Sequence, residues 1–138
     1  MQIRSEWFFE WGGGVTEGPF FNAITPAGYS LVAELISHEP APWLALGQDT
    51  SDTFDLGETF RKPVSLVSQD WTVVRFRTQL VPTDANGTHQ KLSILLRASE
   101  TPGGTELMFN QLKQPFTKAS NQLLTVECRI YIIPGVID

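Results

Sequence analysis

Few side chains in this sequence could carry out catalysis. The chain has two histidines, His38 and His89, and one cysteine, Cys128. His38 ends a predicted helix, where a cation is favourable, and His89 falls at an outward, solvated position of a predicted strand. Cys128 falls at an inward position, where a thiol is usually a small buried hydrophobe. We therefore predict that the protein is not an enzyme. A small hydrolase or lyase would need His38 or His89 to meet a carboxylate in a cleft.

Metal and cofactor sites are equally weakly indicated. Asp49, Asp52 and Asp55 recur at three-residue spacing and could offer oxygen ligands to calcium, but the loop lacks the glycine and closing glutamate of an EF-hand. Gly12-Gly13-Gly14 neither follows a predicted strand nor opens a lysine-bearing helix, so it is interpreted as a hinge and not as a phosphate-binding loop. One cysteine allows no internal disulfide and no cysteine-based zinc cage. We expect no metal and no cofactor.

Binding residues are more prominent, and most of them lie in the first 22 residues. Six aromatic residues surround the glycine run: Trp7, Phe8, Phe9, Trp11, Phe20 and Phe21. Exposed aromatic patches of this density usually mark interfaces. Two interpretations stay open, since the segment could be an irregular first strand and loop folded over the domain's own core, or an arm that packs on a neighbouring subunit.

Two arginines and two tryptophans complete the set of candidate binding residues. Arg75 and Arg77 project from one face of a predicted strand, where guanidinium groups suit carboxylates on a partner or in the acidic loop of the same chain. We count them, with the six aromatic residues, as candidates for a subunit interface. Trp43 and Trp71 could stack on sugar rings if they are exposed, which makes glycan binding an alternative.

The composition fits one globular, interaction-prone domain. The 138 residues are 41% hydrophobic and only 18% charged, against about a quarter charged in typical soluble domains. The net charge is −5 and no basic block is present, so we expect no nucleic-acid partner. No apolar run approaches the ~20 residues that span a bilayer, and no basic-then-apolar leader is seen, so we expect synthesis in the cytoplasm and no membrane partner.

The elements that must position these residues are mostly strands. Thr25-Pro26 is a typical helix start, which predicts an amphipathic helix over residues 26–37 that ends before Pro40. Leu56 to Lys62 is predicted as a turn or a single helical turn. Asn86-Gly87 predicts a tight hairpin turn. The predicted strands cover residues 42–47, 71–80, 88–97, 105–112 and 123–133.

Period-2 alternation assigns faces to these strands. The inward positions of the second strand are Val74, Phe76, Thr78 and Leu80. The third strand has Leu92, Ile94 and Leu96 inward, opposite His89, Lys91 and Arg97. The last has Leu124, Val126, Cys128, Ile130 and Ile132 inward. The prediction is a mainly β fold, an antiparallel β-sandwich or small barrel, with one short N-terminal helix. Residues 1–22 are predicted as an N-terminal arm and residues 23–138 as a single domain.

From Asn22 onward, short motifs follow one another in a distinctive order. The helix is followed by Ala45-Leu46-Gly47, a Thr/Asp-rich loop, and Leu56-Gly57-Glu58 with Arg61 or Lys62 soon after. Then come Thr72-Val73-Val74-Arg75-Phe76, Ala85-Asn86-Gly87-Thr88, Lys118, and Leu124-Thr125-Val126 with Ile130 and Ile132. In this order the chain resembles small tail-associated structural proteins of tailed bacteriophages and prophages, of the tail-fibre or tail-collar type. It departs from them at residues 91–95, where they carry an acidic residue and Gly-Leu-Phe.

This resemblance implies a non-enzymatic building block of a virion, assembled in the host cytoplasm and placed at the tail, baseplate or fibre attachment. Its expected partners are copies of itself, with a trimer or hexamer favoured, and other virion structural proteins. The arm before Asn22 is not part of the shared pattern, so attachment through it would be specific to this protein. The alternatives are a carbohydrate-binding sandwich that recognises a host-surface glycan and a capsid or neck decoration protein.

Overall fold

A computed structural model describes residues 5–22, 24–49, 51 and 55–133 of the chain. Within these ranges the protein is mainly β, as predicted, with one short helix and three antiparallel sheets. The elements in chain order are β1 (Ser5–Glu10), β2 (Thr16–Asn22), α1 (Pro26–Ser37), β3 (Trp43–Gly47), β4 (Glu58–Pro63), β5 (Leu66–Asp70), β6 (Val73–Leu80), β7 (Gly87–Leu96), β8 (Thr105–Lys118) and β9 (Leu124–Tyr131).

The two larger sheets share one core and make the domain sandwich-like. One sheet has the strand order β4-β3-β7-β8 and the other the order β5-β6-β9, while β1 and β2 pair with each other and with no other described strand. Apolar side chains of both sheets meet in the same cluster, which joins Leu44 and Ile94 of the first sheet to Phe76 and Ile130 of the second. Burial of such side chains is the main favourable contribution to folding.

The alternation predicted for the second and last strands is confirmed. The positions 74, 76, 78 and 80 of β6 are all buried. On β9 and just after it, Ile130 and Ile132 are buried, and the preceding inward residues pack against the same core. Strands β6 and β9 are direct neighbours, with Phe76 opposite Cys128. Each strand therefore presents one face to the core and the other to solvent.

Helix α1 packs across the core through one side. The Thr25 hydroxyl accepts a hydrogen bond from the Gly28 backbone N–H at 3.0 Å, which satisfies one of the free donors at the helix start. Tyr29 and Ala33 are buried in the main core, whereas Leu31 and Leu35, four residues apart, are exposed. The helix thus closes the core on one side and leaves its other side free of the described domain.

Three predictions about the strands were wrong. Most of the segment predicted as a turn at Leu56 to Lys62 lies in strand β4, which begins at Glu58 and pairs with β3 with one shift in register. Strand β5 was not predicted at all. Strand β8 does not end at residue 112 but continues to Lys118 through Pro115. Proline is tolerated there because β8 is an edge strand and its register against β7 shifts between His89 and Lys91.

The hairpin predicted at Asn86-Gly87 is also wrong. The strands before and after this turn, β6 and β7, belong to different sheets, so the segment is a crossover between the two layers. The chain does turn at this point, and two residues of the turn have positive φ, Ala85 at 52° and Gly87 at 124°. The turn residues therefore report the backbone shape correctly but not the pairing of the strands that they join.

The outward assignment of His89 and Lys91 is wrong, because β7 is a central strand covered on both faces. His89 is 2% exposed and Lys91 is fully buried. Leu56, which follows the acidic loop, joins Ala45 and Leu95 in a second small cluster on the sheet face opposite the main core. The Lys91 ammonium donates to the Asp55 carbonyl at 2.6 Å and lies 3.4 Å from the Asp49 carboxylate. This loop, and not solvent, satisfies the lysine.

Candidate subunit interface

Residues 5–22 form a β-hairpin, and the glycine run is its turn. The Gly14 N–H donates to the Trp11 carbonyl at 2.9 Å, and the Trp11 N–H donates to the Val15 carbonyl at 2.8 Å. Gly14 has a φ of 85°, the left-handed conformation typical of the last residue in a three-residue hairpin loop. The interpretation of residues 12–14 as a hinge is therefore replaced by a closed turn, in which position 14 favours glycine because of its positive φ.

Four aromatic rings share one side of this hairpin. Trp7 lies opposite Phe20 in the strand register, and Phe9, two residues further, falls on the same side. The Phe9 ring centroid is 5.3 Å from that of Phe20 and 6.4 Å from that of Trp11, distances typical of aromatic pairs. We call Trp7, Phe9, Trp11 and Phe20 the aromatic face.

The aromatic face is open to solvent. Trp7 is 58% exposed, Phe9 49%, Trp11 57% and Phe20 45%, and none of them joins a core cluster. Phe8 is also exposed, and the Phe21 side chain lies outside the described structure. An isolated two-stranded hairpin is marginally stable in water. Of the two interpretations of this segment, the exposure favours the arm that packs on a neighbour.

The hairpin is acidic. Between Ser5 and Asn22 the chain has three glutamates, Glu6, Glu10 and Glu17, and no lysine or arginine. Glu17 lies opposite Phe9, and its carboxylate accepts a hydrogen bond from the Trp11 indole N–H at 3.1 Å. A negative charge is therefore fixed beside the aromatic rings, on the side of the hairpin that faces solvent.

The two candidate arginines lie on the solvent side of the β5-β6-β9 sheet. Arg75 lies directly opposite Arg129 in the register, and Arg77 lies opposite Glu127. We call Arg75, Arg77 and Arg129 the arginine face. Arg129 is paired, since its Nε donates to Glu127 at 2.6 Å. This hydrogen bond, followed by the charges of Arg129, Arg77 and Arg75, lowers the pKa of Glu127.

Arg75 and Arg77 have no hydrogen bond or ion pair among the described residues. The acidic loop that could have paired with them lies instead over Lys91, through Asp49 and Asp55, while Asp52 is outside the described residues. Like charges directly opposite each other on neighbouring strands repel. The arginine face therefore carries two positive charges in excess of its one internal ion pair, and a carboxylate from outside the domain would neutralise them.

The two histidines lie apart from any acid–base arrangement that the structure describes. His38 follows the last residue of α1, and its backbone N–H donates to helix carbonyls. The His89 Nε2 contacts the Ala85 carbonyl at 2.7 Å, and its ring packs on Phe116 at 5.4 Å between centroids. Its Nδ1 is buried and has no partner within the described residues. In the same part of the chain, no group of three or more His, Cys, Asp or Glu residues could hold a metal ion.

The remaining candidates take structural or surface positions. Cys128 packs against the core beside Met108, and burial raises the pKa of its thiol, which keeps it protonated. Trp43 is half-buried against the second cluster, so it offers no free ring to a sugar. Trp71, by contrast, is 62% exposed in the turn between β5 and β6.

Sequence reasoning missed two lysines, the buried Lys118 and the half-buried Lys62, that bind the crossover between the sheets. The Lys118 ammonium, in a residue 2% exposed, donates to the Asn86 side chain at 3.0 Å and to the Pro82 carbonyl at 3.2 Å. Lys62 donates to Asp84, which also accepts from the Val81 N–H at 2.9 Å. Only the order of motifs singled out Lys118 and Lys62, because a lysine in a predicted loop or turn is normally interpreted as solvated.

The Lys62–Asp84 pair predicts a pH dependence of stability. The hydrogen bond from Lys62 lowers the pKa of Asp84, so its folded pKa lies below the unfolded value of about 3.9. The carboxylate therefore stabilises the fold above about pH 4, and this contribution is lost as pH falls through the folded pKa. We expect Asp84→Asn to be less stable than wild type at pH 7, with the difference shrinking below pH 4. Urea unfolding of both proteins from about pH 7 to pH 3 measures this, and a difference that stays constant with pH would contradict it.

The fold and the two faces define a sandwich-like β domain with an exposed aromatic hairpin. No family model matches the chain, and no curated protein matches it in sequence. Among the described residues, no helix is long and apolar enough to cross a membrane.

Proposed function

We propose that this protein is a non-enzymatic structural subunit of a tailed bacteriophage virion, at the tail, baseplate or fibre attachment, and that it assembles through its N-terminal hairpin. The observation that carries the proposal is the aromatic face, four exposed rings on one side of a hairpin that pairs with no other described strand. A subunit of this kind acts by occupying a fixed place in a symmetric assembly. It needs a rigid body and an adhesive surface, and no catalytic group.

The energetics of the hairpin favour such a role. Fully burying a large apolar side chain contributes roughly 1.5–3 kcal/mol, and these rings are already about half-buried by each other and the hairpin backbone. Four rings together then contribute on the order of 3–6 kcal/mol when a neighbour covers them. The turn and strand pairing restrict the backbone of the hairpin in part, so the entropy lost on docking is smaller than for a fully disordered arm.

The motifs behind the tail-protein resemblance also support the proposal, because they contact one another in space. Gly47 of the first motif lies against the Leu56 carbonyl of the next. Glu58 accepts two hydrogen bonds from the Arg61 guanidinium, at 2.8 and 2.9 Å. Asn86 accepts from the buried Lys118. Motif residues that are distant in sequence thus contact one another in the folded domain. Such contacts are expected if the order of motifs is the signature of a shared fold.

The experiment that tests the proposal is the absolute mass of the full chain in solution, by light scattering after size exclusion. We expect wild type to form a defined oligomer, a trimer or hexamer, and Trp7→Ala/Phe9→Ala to be monomeric with an unchanged circular dichroism spectrum. Trp71→Ala is the matched control, since it removes an equally exposed indole outside the hairpin, and it should leave the oligomer intact. A monomeric wild type, or an oligomer that is unaltered in Trp7→Ala/Phe9→Ala, would overturn the proposal.

A second candidate function rests on Trp71 alone. Its exposed indole could stack on a sugar ring, which is the role of an aromatic platform in carbohydrate-binding sandwiches. Binding of the full chain to a glycan array that is lost in Trp71→Ala would favour this function. Equal array signals from wild type and Trp71→Ala would remove it.

A further inference from the structure

We infer that the hairpin of one copy docks on the arginine face of a second copy, so that the subunits join head to tail. The inference rests on the proposed assembly function and names the surface that receives the hairpin. It starts from two exposed patches of the same chain that carry net charges of opposite sign. One is the acidic aromatic face with Glu17, and the other is the arginine face with Arg75 and Arg77.

The chemistry of the two patches is complementary. Guanidinium groups are weakly hydrated, stack on tryptophan and phenylalanine rings, and bind carboxylates through paired hydrogen bonds. The arginine face has Arg75 and Arg77 without a hydrogen bond or ion pair among the described residues. The aromatic face offers four rings and the Glu17 carboxylate. Exposed apolar groups, Leu66 beside Arg77 and Tyr131 at the end of β9, extend the arginine face with apolar surface.

The aromatic face alone is too small to form a stable interface, so charged groups must contribute to it. An aromatic side chain buries about 150–250 Å², so four half-exposed rings leave on the order of 400 Å² to cover. A stable interface buries about 800 Å² on each partner. The rings alone supply about half of this, and polar groups around them must supply the rest. Arg75 and Arg77 on one patch and the Glu17 carboxylate on the other are polar groups in the right places to do so.

Two different patches on one chain make a heterologous contact. Each copy donates a hairpin and receives another, so the contact repeats until a ring closes or a filament grows. A ring of three or six copies is the closed form that the expected trimer or hexamer would take. A contact of hairpin on hairpin would instead pair like surfaces, and it would bring the acidic groups of two hairpins together.

Mixing two full-length variants tests the direction of the contact. Trp7→Ala/Phe9→Ala keeps the arginine face and lacks the aromatic face, whereas Arg75→Glu/Arg77→Glu keeps the hairpin and lacks the receiving charges. We expect each variant alone to be monomeric by light scattering. An equimolar mixture should give a 1:1 heterodimer that grows no further, because neither free end of the pair can continue. Two variants that stay monomeric when mixed would overturn the inference.

Charge-reversal variants distinguish a failure of this inference from a failure of the proposed function. Arg77→Glu should weaken self-association at least tenfold in sedimentation equilibrium, while Lys113→Glu, an equal charge reversal at an exposed position of β8, should match wild type. If Arg75→Glu/Arg77→Glu assembles like wild type while Trp7→Ala/Phe9→Ala does not, the hairpin docks elsewhere. The head-to-tail contact then fails and the proposed function stands. If both variants assemble like wild type, both fail.

Discussion

Replacing Gly47 by alanine is expected to lower the free energy of unfolding by about 3 kcal/mol or more. Gly47 ends β3, and a Cβ added there would lie 1.8 Å from the Leu56 carbonyl oxygen and 2.7 Å from its carbonyl carbon. A flexible side chain could relieve such a clash by changing its rotamer, but the Leu56 backbone cannot. The Leu56 backbone would have to move away from the end of β3, and its side chain would leave the second cluster with it.

Thermal and urea unfolding of Gly47→Ala measure this effect, and the melting temperature should fall by roughly 10 °C for a domain of this size. Gly13→Ala is the matched control, since it is the same substitution at a site where nothing lies within 4 Å of the added Cβ. We expect that control to unfold like wild type. A Gly47→Ala protein as stable as Gly13→Ala would show that the loop over β3 is not packed as the structure describes.

The mainly β fold could be predicted because each signal was local or periodic. The alternation predicted for β6 agrees with the burial of its residues, because one face of that strand packs on the core and the other faces solvent. The helix start is equally local, since the Thr25 hydroxyl and Pro26 act on the first turn alone. Signals of this kind predict the type and the ends of an element, although they do not predict which strands pair.

The errors arise where distant segments decide the structure. Strand β4 has no clear alternation of its own and exists through its pairing with β3. His89 and Lys91 looked solvated because their polar types matched an outward face, but β7 is central and other parts of the chain cover both residues. Periodicity cannot show that a loop returns over a strand, and so the buried lysine could not be predicted.

The candidate site was predictable in its residue types but not in its geometry. The density of aromatic residues before Asn22 indicated a binding segment from the sequence alone. Which rings share a face depends on the strand register, and a register shift between Trp7 and Phe9 on β1 changes how the residues of β2 oppose them. The sequence also paired Arg75 and Arg77 on one face, but the repulsive position of Arg129 beside them became visible only with the β6-β9 register.

Replacing Arg61 by alanine is expected to destabilise the domain by about 3 kcal/mol. The Arg61 guanidinium donates two hydrogen bonds to Glu58 and three to backbone carbonyls of the turn between β7 and β8, at Ser99 and Thr101 (2.8 Å each) and Gly103 (3.2 Å). Its side chain is only 11% exposed. Removing it leaves a carboxylate and three carbonyls without the donor that serves them all.

Arg61→Lys should recover only part of this loss, because one ammonium cannot reach Glu58 and the turn in the same planar arrangement. Arg97→Ala is the control, since Arg97 also makes two hydrogen bonds to a single glutamate, Glu39, but is exposed to solvent. Exposed pairs of this kind contribute little to stability. In urea unfolding we expect wild type and Arg97→Ala to have similar stability. Arg61→Lys should be less stable than both, and Arg61→Ala should be the least stable. Equal losses from Arg61→Ala and Arg97→Ala would mean that the turn is held without Arg61, and that the Glu58–Arg61 motif contributes no more than a surface ion pair.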